Sequence, residues 1–227
     1  MDRAEYDKIH AYMLEMMGDS AHDAMHIYRV LHNSLKIAES HPEADKDILT
    51  AACLLHDIGR QSQFRDASIC HAEEGGRLAY EFLGSLGIDE KRRAHIRDCI
   101  ITHRFRTDRQ PATIEAKILF DCDKLDVTGA IGIARTLFYK GHTGEPLYTL
   151  DEEGRVQNSG DAHMPESFFK EYHYKLIKIY GRFYTKEARE IGEKRKAIFT
   201  AYYEALLDEV CVDYGVLLIC EGGKDVR

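Results

Sequence analysis

The sequence predicts an all-helical protein. Apolar residues recur at three- and four-residue spacing almost throughout, strand-like alternation is hardly seen, and only four prolines interrupt the pattern. With 227 residues, 44% of them hydrophobic, the chain can bury a sizeable core, and a helical chain of this length is expected to form one domain.

A first helix is predicted over Arg3 to Met17, where Gly18 stops it. Ser20 with Asp23 three residues on resembles a capping box that opens a second helix running through Ala38, and Pro42 marks the next turn. The third helix, about Asp45 to Ile58, carries Ile48, Ala51, Ala52, Leu54 and Leu55 nearly all round, as a central helix does, and Gly59 ends it. His56 and Asp57 therefore fall in its last turn. Further helices are expected over about Ala72 to Leu86, Asp89 to His103, Thr113 to Asp123 and Ala130 to Tyr139, separated by Gly, Pro or polar turn residues. Gly141 to Pro165 is rich in glycine and polar residues and reads as a long connection, the kind of segment that often forms a lid or binding loop. Two long helices, about Glu166 to Tyr184 and Thr185 to Val210, complete the fold ahead of a Gly- and charge-containing tail. There is no internal repeat and no low-complexity tract.

Composition removes several function classes. A formal net charge of -8 and few basic runs disfavour nucleic acid as a partner, although a local positive pocket can still hold a small phosphate. Six cysteines lie far apart with no C-x-x-C pair, and the first ten residues hold no apolar signal segment, so the expectation is a cytoplasmic protein with reduced thiols. No run approaches the roughly 20 apolar residues that a membrane span needs.

The chemistry begins with His56 and Asp57 at the end of a buried helix, where an imidazole beside a carboxylate is costly unless both ligate a metal or are otherwise paired. An isolated HisAsp is equally well a surface helix C-terminus, its imidazole favoured by the helix dipole. The rest of the chain changes the balance. His26 lies mid-helix in HDAMHIYRV and Asp123 in a second acidic cluster, DCDKLD, so three separate helices offer two imidazoles and two carboxylates. That mixed set suits a divalent first-row metal with open positions for water and substrate.

At these residues the chain resembles the HD superfamily of metal-dependent phosphohydrolases, whose pattern is a His, then HisAsp, then a distant Asp. More particularly it is similar to small bacterial HD hydrolases related to nucleoside triphosphate pyrophosphohydrolases, through HDAMHIYRV, LLHDIGR, HAEEGG, DCDKLDVTGAIGIARTLFYKG and the helix beginning HYKLIKIY, roughly Ser20 to Glu209. The resemblance implies a single HD-type helical bundle over 1–227, with a metal-site core at about 20–140, the loop at 141–165 and C-terminal helices at about 166–210. It also implies direct metal ligation by His26, His56, Asp57 and Asp123. His71 and His103 fall where some HD enzymes carry ligands for a second metal; alternatively they bind substrate, or His71 caps its helix and His103 faces a helix dipole.

Other residues carry expectations beside ordinary explanations. Asp126, one turn from Asp123, can orient a ligand or accept a proton, and with His71 and His103 it is a candidate to guide the proton of the attacking water. Arg29, Arg60, Lys124 and Arg135 accompany the motif residues and can hold phosphate, and Lys175 stands with Lys178, Arg182 and two tyrosines on a late helix that can cover a nucleotide; a solvated helix face explains each singly. His22 lies one turn before His26 and is either a pocket residue or a near-cap. The expected activity is hydrolysis of a nucleotide or similar phosphate ester or anhydride by metal-activated water. The alternatives are a phosphomonoesterase, a cyclic-nucleotide phosphodiesterase, and a non-catalytic ligand-sensing module. The expected metal is Mn or Fe, with Co, Ni, Zn or Mg also accommodated. An apolar stripe on the Tyr-rich late helices can pair two subunits as well as pack the core.

Overall fold

Helices account for nearly all the regular structure in the computed structural model, which describes residues 1–17, 24–104, 109–212 and 214. The all-helical expectation holds. The capping box at Ser20 and Asp23, and His22 with it, lie outside the described residues.

The chain divides into two compact units, Met1–Asp126 with Phe183–Arg189, and the described residues of Val127–Arg182 with Glu190–Arg227. In the first unit the helices are α1 (Arg3–Met17), α2 (Ala24–Ala38), α3 (Lys46–Leu55), α4 (Arg60–Arg65), α5 (His71–Ser85), α6 (Glu90–Thr102) and α7 (Ile114–Leu125). Asp45 caps α3 by accepting from the amides of Asp47 and Ile48, and Asp89 and Thr113 do the same for α6 and α7. Central α3 packs against α1, α2, α5, α6 and α7, which explains why Leu49, Ala52, Cys53, Leu54 and Leu55 are all fully buried. Each large apolar side chain so buried contributes about 1.5–3 kcal/mol, so the position of His56 and Asp57 at the end of this helix is among the most firmly held in the unit.

The short helix α4 was not expected; α3 ends at Leu55 rather than about Ile58, and four turn residues closing on Gly59 lead into a new helix at Arg60. Gly59 is required here by close approach. A Cβ on it would stand 2.2 Å from the His71 carbonyl oxygen and 2.6 Å from the Gly75 amide, both backbone atoms of α5. Glycine facing glycine thus lets α5 lie directly against the HisAsp turn. Behind α7, buried Asp121 accepts from the Tyr184 and Thr185 amides and the Thr185 hydroxyl, tying 183–189 into this unit.

The second unit begins with α8 (Gly129–Thr143), five residues longer than the sequence pattern suggested. The expected loop contains an antiparallel pair, β1 (Thr149–Leu150) with β2 (Val156–Gln157). Its turn is made by the Asp151 carboxylate, which accepts from the amides of Glu153 and Arg155, and by Gly154 at φ 76°. Strands of two residues are too short to show alternation, so no sequence period announces them.

The expected helix over 166–184 is broken. It consists of α9 (Phe168–Glu171), a π-helical turn over Tyr172–Leu176 and α10 (Ile177–Ile179). The widened turn lets Tyr172 stack on Tyr203 at 3.8 Å and on Phe199 at 5.2 Å while Leu176 and Ile179 remain buried, so tertiary packing overrides the regular period. Phe199 and Tyr203 belong to α11 (Lys186–Val210). The five described cysteines are unpaired with one another. No helix among the described residues is long and apolar enough to cross a membrane.

Gly59→Ala should cost about 3 kcal/mol, at the upper end of overpacking penalties because backbone rather than a side chain must move. Thermal denaturation read by circular dichroism checks it: a melting temperature equal to the parent's would show that α5 is not held against the HisAsp turn.

Candidate metal centre

Helix ends expose carbonyls with no intrahelical partner, and two imidazoles in the first unit use them. His56 ends α3 and its Nδ1 lies 2.8 Å from the Cys53 carbonyl oxygen; His103 ends α6 with Nδ1 2.5 Å from that of Ile100. His71, first residue of α5, places Nδ1 2.6 Å from Gln63 Oε1 on α4. His26, within α2, places Nδ1 2.7 Å from Asp126 Oδ2 at the end of α7. Every partner is an acceptor, so each Nδ1 donates and each Nε2 retains its lone pair.

The four Nε2 atoms converge on Asp57. His26 and His56 stand 3.7 and 3.8 Å from Oδ2, and His71 and His103 each stand 3.7 Å from Oδ1. Asp123 joins the first pair, its Oδ1 3.4 Å from His26 and 3.9 Å from His56, whose two Nε2 atoms are 3.3 Å apart. Ligands about 2.1 Å from one ion lie roughly 3.0–3.5 Å from each other, so this spacing approaches that of a coordination shell. Two groups can therefore each hold a cation, His26 with His56 and Asp123, and Asp57 with His71 and His103. Asp57 faces both, one oxygen to each.

Electrostatics agree with that reading. Burial pushes the His56 imidazolium pKa down to about 4, and burial with the Arg60 charge takes His71 to about 2, so neither takes up a proton near neutrality. Burial alone would raise Asp57, yet Arg60 and the surrounding imidazoles outweigh it and hold the carboxyl well below its ordinary value; for Asp123 the opposing groups are Lys124 and His26. Asp57 Oδ2 and the Nε2 atoms of His71 and His103 are buried without a hydrogen-bond partner among the described residues. A buried set of lone pairs turned on one another is repulsive unless a cation lies between them, so the donors fit a divalent metal.

The remaining expected residues separate. Asp126 accepts from His26 and from Arg29, whose Nε and Nη2 lie 2.8 and 3.0 Å away. Arg60 Nε is 3.0 Å from Asp57 Oδ1, and Lys124 Nζ is 2.6 Å from Asp123 Oδ2 and 3.2 Å from the His103 carbonyl. Arg135 and Lys175 belong to the second unit, where Lys175 pairs with Glu171 at 2.9 Å. Sequence reasoning missed Gln63, which fixes His71; nothing marks one glutamine on a short helix as a support.

Residues 24–128 match the family model described as HD domain. The chain is 28% identical over 211 residues to the uncharacterized protein YpgQ of Bacillus subtilis, covering 90% of this chain and 93% of that protein. The crystal structure of that protein in complex with ADP is similar with a TM-score of 0.68, covering 90% of this chain and 97% of the other. A structure of an HD-superfamily hydrolase from Bacillus thuringiensis is 26% identical with a TM-score of 0.66, covering 91% of this chain and 97% of that one.

Asp126→Asn keeps an acceptor for His26 but removes the charge that Arg29 and the imidazole share, and metal affinity should fall by about 10- to 100-fold. Calorimetric titration with Mn or Co reads it. An unchanged affinity would show that Asp126 does not tune His26.

Proposed function

From the match of residues 24–128 to the HD-domain family model, we propose a metal-dependent phosphohydrolase that holds two divalent cations in its first unit and cleaves a nucleoside phosphate. The observation that carries the proposal is the convergence of four imidazole Nε2 atoms on the two oxygens of Asp57. His26, His56 and Asp123, with Asp57 beside them, would hold one cation, and Asp57, His71 and His103 would hold the other. Mn or Fe suits this set of imidazoles and carboxylates, which also accepts Co, Ni, Zn or Mg. Cations at such a centre supply a lowered pKa for water and a Lewis acid on the phosphoryl oxygen.

The chain's own residues divide the remaining work. Asp126, Gln63 and the Cys53 and Ile100 carbonyls keep each imidazole in the tautomer that offers Nε2. Arg29 is committed to Asp126 through two nitrogens, and we assign it to holding that carboxylate rather than to substrate. Arg60 and Lys124 pair with Asp57 and Asp123, the carboxylates of the two candidate cation groups, and we assign them to phosphate oxygens there, where a cation offsets charge developing in the transition state.

A nucleotide substrate is supported by the ADP bound to the Bacillus subtilis relative, and attack releasing pyrophosphate from a nucleoside triphosphate is the reaction that the sequence resemblance favours. Phosphomonoester and cyclic-nucleotide hydrolysis use the same centre and are separated by product. Purified protein should be assayed with nucleoside mono-, di-, tri- and cyclic phosphates under Mn, Co, Mg and Ni, beside His56→Ala and Asp57→Ala checked for folding by circular dichroism. Pyrophosphate release from triphosphates is expected, falling about a thousandfold in both variants, a barrier increase of roughly 4 kcal/mol. Release of phosphate from monophosphates would reassign the substrate, and no metal-dependent turnover would leave a ligand-sensing module. Metal analysis should find two ions per chain, and His71→Ala should retain one; one ion in both would refute the paired centre.

A further inference from the structure

Within the second unit, α11 buries one face and leaves another exposed among the described residues. Phe199 and Tyr203 turn inward, stacking on Tyr172. About 100° around the helix, Ile198 is 56% exposed and Tyr202 is 38% exposed, with exposed Ala201 and Ala205 beside them. Ile191, Lys194, Ile198, Ala201, Ala205 and Asp208 follow three- and four-residue steps, with Tyr202 and Glu209 alongside, the spacing of a seam between two helices. Exposed Lys194 stands before the apolar stretch, and exposed Asp208 and Glu209 follow it.

We propose that this face of α11 binds α11 of a second copy of the chain, antiparallel, about a two-fold axis passing between Ala201 and Tyr202. Three complementarities single out that partner and register. Such an axis brings Ile198 opposite Ala205 of the other copy and Ala201 opposite its Tyr202, so large meets small along the seam. It brings Lys194 opposite Glu209 of the other copy, and two-fold symmetry makes that pair twice. Parallel pairing instead sets Lys194 against Lys194 and Glu209 against Glu209, which is repulsive. From Ile191 to Glu209 the seam runs about 27 Å, short for an obligate interface, so the dimer dissociates reversibly in the micromolar range. This inference rests on the second unit alone and stands apart from the catalytic proposal.

Sedimentation velocity of the full chain from about 1 to about 200 µM tests it. The parent is expected to show a monomer–dimer equilibrium. Lys194→Glu should weaken it at least about tenfold, Lys194→Glu with Glu209→Lys should restore it, and Ile198→Glu should leave a monomer, each variant checked for helicity by circular dichroism. A parent that stays monomeric at the highest concentration overturns the proposal, as does a Lys194→Glu variant that dimerises like the parent or fails to be rescued. A parent that is monomeric but dimerises after removal of residues 215–227 would assign the face to the chain's own C-terminal segment, and also overturns it.

Discussion

Everything in the first unit answers to one electrostatic constraint: six lone-pair-bearing groups, four imidazoles and two carboxylates, point at each other in a place largely shielded from water. Such a cluster is unfavourable by itself, since burial strips each group of hydration and no donor among them returns it. It is worth maintaining only for a cation. The surrounding polar contacts serve that arrangement, because each Nδ1 is given an acceptor and no imidazole can turn a proton inward without losing one. His56, His71 and Asp57 are held in the protonation states that coordinate metal near neutrality, before any ion arrives.

The fold supplies those acceptors from features any helix bundle has. A helix end leaves carbonyls over, and at α3 and α6 the carbonyl three residues back fixes the final histidine. The same ends place His56 and His103 on the rim of an apolar interior, where α3 is locked by burial on every side. His71 depends on a different device. It reaches Asp57 because Gly59 and Gly75 allow α5 to touch the HisAsp turn, so a steric feature of two glycines sets an electrostatic contact.

Much of this was readable without coordinates. The helical period, the buried character of α3, the HisAsp position at its end and the His26 and Asp123 partners all follow from residue type and spacing, and residues 24–128 match the HD-domain family model that the motif order suggested. What escaped the sequence depended on packing between distant segments. The π-helical turn at Tyr172–Leu176 exists because Tyr172 stacks on Phe199 and Tyr203, and the two-residue strands are held by a turn at Asp151. Likewise Arg29, Arg60 and Lys124 look alike in sequence, and only their carboxylate partners distinguish them: Arg29 holds Asp126, which orients His26, whereas Arg60 and Lys124 hold Asp57 and Asp123, which face the candidate cation groups.

The acidic run DCDKLD shows where the boundary between legible and illegible falls. Successive helical residues turn by about 100°, so Asp121 and Asp123 point to nearly opposite sides of α7 while Asp123 and Asp126 lie within about 60° of each other. Helical geometry therefore separates Asp121, and the structure finds it on the far side, accepting from the Tyr184 and Thr185 amides. Geometry alone cannot rank the other two. They are distinguished by a single imidazole: His26 turns Nε2 to Asp123 at 3.4 Å and Nδ1 to Asp126 at 2.7 Å. Asp123 is therefore placed to share a cation with the histidine and Asp126 to orient it, a division made by which edge of one ring each carboxylate meets.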